Sequence, residues 1–183
     1  MPELISESPL ASCHLALGAR MIPFAGWNLP VEYSGLLAEH KATRQAAGLF
    51  DISHMGQIRA QGKNILSCLE SLLANDPAKL KDGEGHYSFI TNDHGGVIDD
   101  LLVYRLSPDD FFLVVNASRH NEILQLLKRH EAPQVRFPET QELQPEWLFK
   151  VLKRLPFLLK SFKAPHCPQE ITSPSSPFLA RMS

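Results

Sequence analysis

The stretch Asn92-Asp93-His94-Gly95-Gly96, running into Val97-Ile98-Asp99-Asp100-Leu101-Leu102-Val103-Tyr104, constrains the fold of this 183-residue chain more than any other. Asn, Asp and paired Gly form turns, and glycine takes positive φ without steric cost. The residues after the turn are nearly all β-branched or large and apolar, as in a strand buried on both faces. Successive strand side chains point to opposite faces. Asp99 and Asp100 are therefore expected on opposite sides, unable to converge as an acid/base dyad. One of them should enter a cavity or meet a buried partner, because an unpaired buried carboxylate is costly. The competing reading has the pair bonding neighbouring backbone at the start of the strand.

The surrounding segments predict an α+β domain, an antiparallel sheet with packed helices. His86 to Thr91 reads as the first arm of a hairpin around the glycine turn. Ser107-Pro108-Asp109-Asp110 is a second turn, and Phe111 to Asn116 a third strand, giving a meander. Lys63 to Ala74 spaces Ile65, Leu66, Leu69, Leu72 and Leu73 along one helical face. A helix is predicted from Gly35 or Leu36 to Ala47, capped by Ser34 and ended by Gly48, with Glu39, His40, Lys41 and Arg44 on a solvated face. Another runs from Ser118 to His130, with Ile123, Leu124 and Leu127 inward. Residues 1–13 read as a loose lead-in. Met21 to Tyr33, broken by Pro23 and Pro30, reads as short extended segments. Leu49 to Ala60 reads as two strand pieces around Asp51, Ser53 and His54. Proximity in sequence does not make a triad, and His54 with Asp51 is expected to tie down a turn.

The net charge of −2 gives no basic field for nucleic acid. No apolar run approaches the roughly 20 residues that span a bilayer, so no membrane partner is expected. Three scattered cysteines and no signal-peptide pattern point to a reducing, cytoplasmic setting. All ten glycines lie at or before Gly96, whereas eight of fourteen prolines lie at or after Pro133. That change of vocabulary puts an expected boundary near residues 130 to 136, taken at 132, with residues 133–183 a Pro-rich, glycine-free tail expected to be disordered or out of frame.

Several motifs in order carry a family resemblance. They are Leu17-Gly18-Ala19-Arg20-Met21 with Pro23-Phe24-Ala25-Gly26-Trp27; Glu39-His40; Ala47-Gly48-Leu49-Phe50-Asp51-Ile52-Ser53-His54-Met55-Gly56; Leu73-Ala74-Asn75-Asp76; Tyr87-Ser88; Gly95-Gly96-Val97-Ile98-Asp99-Asp100-Leu101; and Val114-Val115-Asn116-Ala117. Through them residues 17–130 resemble the N-terminal part of the aminomethyltransferases, the T-proteins of the glycine cleavage system. The resemblance implies a folate-dependent one-carbon transfer. The donor is the aminomethyl group on the lipoyl arm of the lipoylated H-protein, the acceptor is tetrahydrofolate, and ammonia is released. Asp99 matches the family's essential aspartate at the folate. Tyr87 and Asn116 match positions near the folate channel, and Asp100 a neighbour that shapes the turn. No metal is implied. The alternative within the same resemblance is a non-catalytic folate-binding or regulatory module, or a fragment without function.

The resemblance ends near residue 132, while family members run to roughly twice this length in three domains around the folate. Trp147 to Pro156, with codons read from the third base, permits Ala-Leu-Gln-Gly-Pro-Lys-Ala-Val-Ala, and the family carries a similar segment at that place. A frameshift between about residues 133 and 146 is therefore the expectation for the tail. The competing reading takes Trp147 to Lys163 as a basic amphipathic helix, which Pro156 would break. Pro165 to Pro177 has the composition of disorder.

Overall fold

The structure, a computed structural model, describes residues 5–46 and 48–138 and the backbone of 149–151. The expectations for the tail beyond residue 138, apart from that one strand, lie outside the described residues. The chain divides into two compact units, one containing residues up to His54 together with 149–151, the other starting at Met55.

In the first unit the chain runs β1 (Ser6–Glu7), α1 (Ala11–Ala16), β2 (Arg20–Phe24), β3 (Trp27–Glu32), α2 (Leu36–Gln45) and β4 (Leu49–Asp51). The expected loose lead-in holds a strand and a helix. The expected short extended pieces are a true hairpin, with β2 antiparallel to β3 and β1 parallel to β3 on its other side. Its two-residue loop is Ala25-Gly26, at φ 50° and 80°. Two left-handed residues match the right-handed twist of flanking strands, which makes this a tight hairpin loop. The prolines are tolerated for a positional reason. Pro23 is on edge strand β2, and Pro30 lies past the end of β1, which pairs only with Trp27 and Asn28. β4 pairs antiparallel with β9 (Phe149–Val151).

The start of α2 differs from the sequence reading. Ser34 does not cap it; Gly35 is the N-cap and has no side chain to do so. Glu39 reaches back instead, and its Oε1 accepts the backbone N–H groups of Tyr33, Ser34 and Gly35 at 2.8, 2.7 and 3.0 Å. Glu32 takes the N–H of Leu36 at 3.1 Å. The N–H groups of the cap residue Gly35 and of Leu36, with those of the two residues before them, are thus met by carboxylates, as in one half of a capping box. These bonds hold the Glu39 carboxyl below its ordinary range, the Tyr33 N–H contributing most.

The second unit carries β5 (Gly56–Gln61), α3 (Ile65–Leu72), β6 (Gly85–Thr91), β7 (Val97–Ser107), β8 (Asp110–Val115) and α4 (His120–Lys128). The strands form one antiparallel sheet in the order β5-β8-β7-β6. This is the predicted meander with β5 added at its far edge, and the α+β expectation holds. α4 begins later than predicted, after a 3-10 turn over Ala117–Arg119, and Ser118 does not cap it. One sheet face presents Leu101, Val103, Phe111, Leu113 and Val115, and α3 and α4 supply Ile65, Leu69, Ile123, Leu124 and Leu127 to the same buried cluster. Fully burying such a side chain stabilises by about 1.5–3 kcal/mol. Val135 and Phe137 join the core, and Arg136 pairs antiparallel with Gln61. Gly62 allows that return: its φ is 127°, and a Cβ there would sit 2.0 Å from the Gln134 carbonyl oxygen.

Candidate functional site

The turn before β7 is closed by Asn92. Its side-chain Oδ1 accepts the N–H groups of His94 and Gly96 at 3.0 and 2.8 Å, and Gly95 takes φ 77°. The chain enters β7 with a register shift, since Ile90 faces Asp99 whereas Thr91 faces Val97. An extra residue in the strand is a β-bulge, which re-aims the side chains after it. From there Asp99, Leu101 and Val103 are buried, while Asp100, Leu102 and Tyr104 are half-buried.

Asp99 is 6% exposed. Its partner is Asn116, the first residue past β8. The Asn116 backbone N–H donates to Asp99 Oδ2 at 3.3 Å and the side-chain Nδ2 to Oδ1 at 2.9 Å. The same Nδ2 lies 2.9 Å from Asp100 Oδ1 and 3.1 Å from the Asp100 carbonyl oxygen. The first reading of the pair is met in that Asp99 is buried and has a partner, the half-buried Asn116. The second is not, because the backbone N–H that Asp99 accepts belongs to Asn116 rather than to residues at the start of the strand. The two carboxylates differ in burial, as alternation requires, yet a single amide nitrogen at the strand end joins them. Alternation describes the strand's faces; it does not govern a residue that reaches round the end of the sheet.

Tyr87, on β6, is 47% exposed. Its hydroxyl donates to Asp100 Oδ2 at 2.6 Å, and this bond holds the phenol above its ordinary range. Its ring meets Phe89 edge-on, centroids 5.2 Å apart. The three residues singled out in the sequence, Asp99, Tyr87 and Asn116, therefore belong to one hydrogen-bonded cluster, and Asp100 links Tyr87 to the other two. Asp100 carries more of the cluster than a turn-shaping neighbour would. The cluster offers carboxylate acceptors beside two exposed aromatic rings, a donor set that fits a flat heterocycle bearing N–H groups.

Asp51 builds a second cluster, in the first unit. It accepts the hydroxyls of Ser8 and Ser53, the Ser53 N–H at 2.9 Å, and His14 Nε2 at 2.8 Å. His14 Nδ1 in turn lies 2.8 Å from the Tyr33 hydroxyl. The histidine on Asp51 is thus His14, not the expected His54. Sequence reasoning missed it because His14 sits 37 residues from Asp51 in a segment without periodicity. Burial pushes the Asp51 carboxyl up, but hydrogen bonds from Ser53, Ser8 and His14 outweigh it and hold it below the usual range. Both oxygens are occupied by structural donors, so this cluster ties β4 to α1 and carries no nucleophile.

Residues 10–147 match the family profile described as the GCVT N-terminal domain. The chain belongs to the aminomethyltransferase family. The aminomethyltransferase of Deinococcus deserti is 47% identical over 114 residues, 62% of this chain and 32% of that protein. That of Desulforamulus reducens is 41% identical over 157 residues, 82% of this chain and 43% of that protein. The crystal structure of glycine cleavage system aminomethyltransferase T from Bartonella henselae superposes with a TM-score of 0.68 at 38% identity, over 73% of this chain and 37% of that one. The chain thus spans about a third of the length of several curated aminomethyltransferases that it matches. Among the described residues no helix is long and apolar enough to cross a membrane.

Proposed function

We propose that this chain carries the folate-side half-site of a cytoplasmic glycine-cleavage aminomethyltransferase. In that reaction the lipoylated H-protein brings the aminomethyl group. Tetrahydrofolate, when bound, would supply the nitrogens that take up the methylene carbon; the carbon–sulfur bond breaks to leave the reduced lipoyl thiol on the H-protein, and the carbon–nitrogen bond breaks to release ammonia. The observation that carries the reading is the single cluster of Asp99, Asn116 and Tyr87.

Each residue has a role its chemistry can fill. A carboxylate has two lone pairs on each oxygen. Each Asp99 oxygen gives one to Asn116 and keeps one for an N–H donor of the heterocycle. Held on a strand, with its rotamer fixed from two sides, Asp99 can orient that donor and stabilise positive charge that develops as nitrogen attacks. Asn116 fixes Asp99. Tyr87 and its neighbour Phe89 offer aromatic surface to the flat ring.

Binding and turnover test the reading separately. Saturable tetrahydrofolate binding by the chain, weakened by Asp99→Asn, supports the half-site. Release of ammonia from aminomethyl-lipoyl H-protein would establish catalysis. Binding without release identifies a folate-binding module on the same scaffold, and absence of binding by a folded sample rejects the proposal.

A further inference from the structure

Helix α2 is formed over Leu36–Gln45, yet none of its ten residues is buried. A helix this short is marginal in water, and helices in folded proteins are held by the apolar face they bury. Here Leu36 on the helix and Leu49 and Phe50 on β4 are all exposed. Between helix and strand lies an open groove of about 560 Å³, lined by Val31 from β3, by Leu36, His40, Thr43 and Arg44 from α2, and by Phe50.

The cover within reach is the chain's own tail. β9 runs antiparallel to β4 with Val151 opposite Leu49, so the chain leaves β9 in the direction of Gly48. Gly48 abuts the groove, since a Cβ there would sit 2.6 Å from Thr43 Oγ1 and 2.8 Å from the Phe50 ring. Residues 152–163, which lie outside the described residues, therefore start from the groove's edge. They include six large apolar side chains, Leu152, Leu155, Phe157, Leu158, Leu159 and Phe162. Fully extended, such a segment reaches about 40 Å, whereas a ten-residue helix is about 15 Å long. The segment can thus cross the groove from end to end. A segment of this composition seeks apolar cover whichever reading frame produced it. The tether decides the competition with a second copy. A segment on a short tether acts at a roughly millimolar effective concentration, whereas a second copy acts only at its own.

We propose that residues 152–163 dock in cis on the groove between α2 and β4 and supply the apolar cover that α2 lacks. Leu15, Leu17 and Leu37 line no part of this groove and stay open to association between chains.

Photo-cross-linking in the full chain tests this. p-Benzoylphenylalanine replaces Leu36 in one sample and Leu37, outside the groove, in another. Each sample is irradiated as an equal mixture of unlabelled and 15N-labelled chains. Mass spectrometry should find position 36 joined to residues 152–163 of the same isotope, at several times the yield from position 37. Cross-links that join the two isotopes would put a second copy in the groove and overturn the proposal. Equal yields from both positions, or no product reaching 152–163, would overturn it too. The full-length variant Leu155→Ser/Leu158→Ser/Leu159→Ser reads the cover independently, its fold checked by unchanged hydrogen exchange in β7 and β8. Its α2 amides should exchange about tenfold faster than in the wild type, because a helix stripped of its cover opens locally. Exchange of α2 at the wild-type rate would contradict the docking.

Discussion

Single carboxylates are the points where this chain commits its chemistry, and each has a different environment. Glu39 is half-buried and caps the start of its own helix. Because its folded pKa is depressed, its contribution is present at neutral pH and lost as pH falls through that folded value. Glu39→Gln should therefore reduce α2 helicity at pH 7, with a difference from wild type that begins to shrink below the ordinary glutamate range, about 4.3, and vanishes only once pH has passed below the depressed folded value; circular dichroism from pH 7 through the acid range checks this. Asp51 obeys the same sign with a larger effect, since four hydrogen bonds converge on a buried carboxylate. Asp51→Ala should destabilise by about 2–4 kcal/mol at pH 7. The gap to wild type should shrink as pH falls below about 4, the unfolded aspartate range; urea titrations across that range test it. Asp99 was legible as a residue with a special environment, because a carboxylate inside an apolar strand demands a partner. The identity of that partner was not legible, since Asn116 lies 17 residues away, just past the end of a neighbouring strand.

At the scale of elements, the sequence was informative where local pattern and tertiary role agree. The hairpin around Asn92 to Gly96, α3, and the order of the meander follow from turn chemistry and periodicity. The hairpin of β2 and β3 was obscured by two prolines, whose tolerance depends on where the short strand β1 stops. The start of α2 was misread for a related reason: serine at the expected cap is a statistical signal, whereas in the folded chain Glu32 takes the Leu36 N–H and Glu39 those of Tyr33, Ser34 and Gly35. Gly62 is a case of close approach that no local pattern announces. Gly62→Ala adds a Cβ against the Gln134 carbonyl at a positive φ, and should cost about 2–4 kcal/mol. Chemical denaturation measures it, with Gly83→Ala as the comparison, because that glycine has nothing within 4 Å and suffers only the backbone penalty.

At the scale of the molecule, the two units differ in what holds them. The second unit owns the buried cluster of the chain, whereas among the described residues of the first only Leu10 and Leu29 are buried hydrophobics. Leu15, Leu17, Phe24, Leu36 and Leu37 are exposed there, Leu37 at 68%. Apolar area left in water drives association. The chain should self-associate with rising concentration in sedimentation velocity; a clean monomer through the micromolar range would contradict that. Backbone amides of β7 and β8 should exchange with deuterium far more slowly than those of β2 and β3, because core strands open only with the unit as a whole. The central claim, that Asp99 anchors a folate half-site, is tested most directly by titrating the folded chain with tetrahydrofolate beside Asp99→Asn. The account predicts saturable binding that the substitution weakens by about tenfold or more. Equal binding by both chains, or none by a folded wild type, would contradict it.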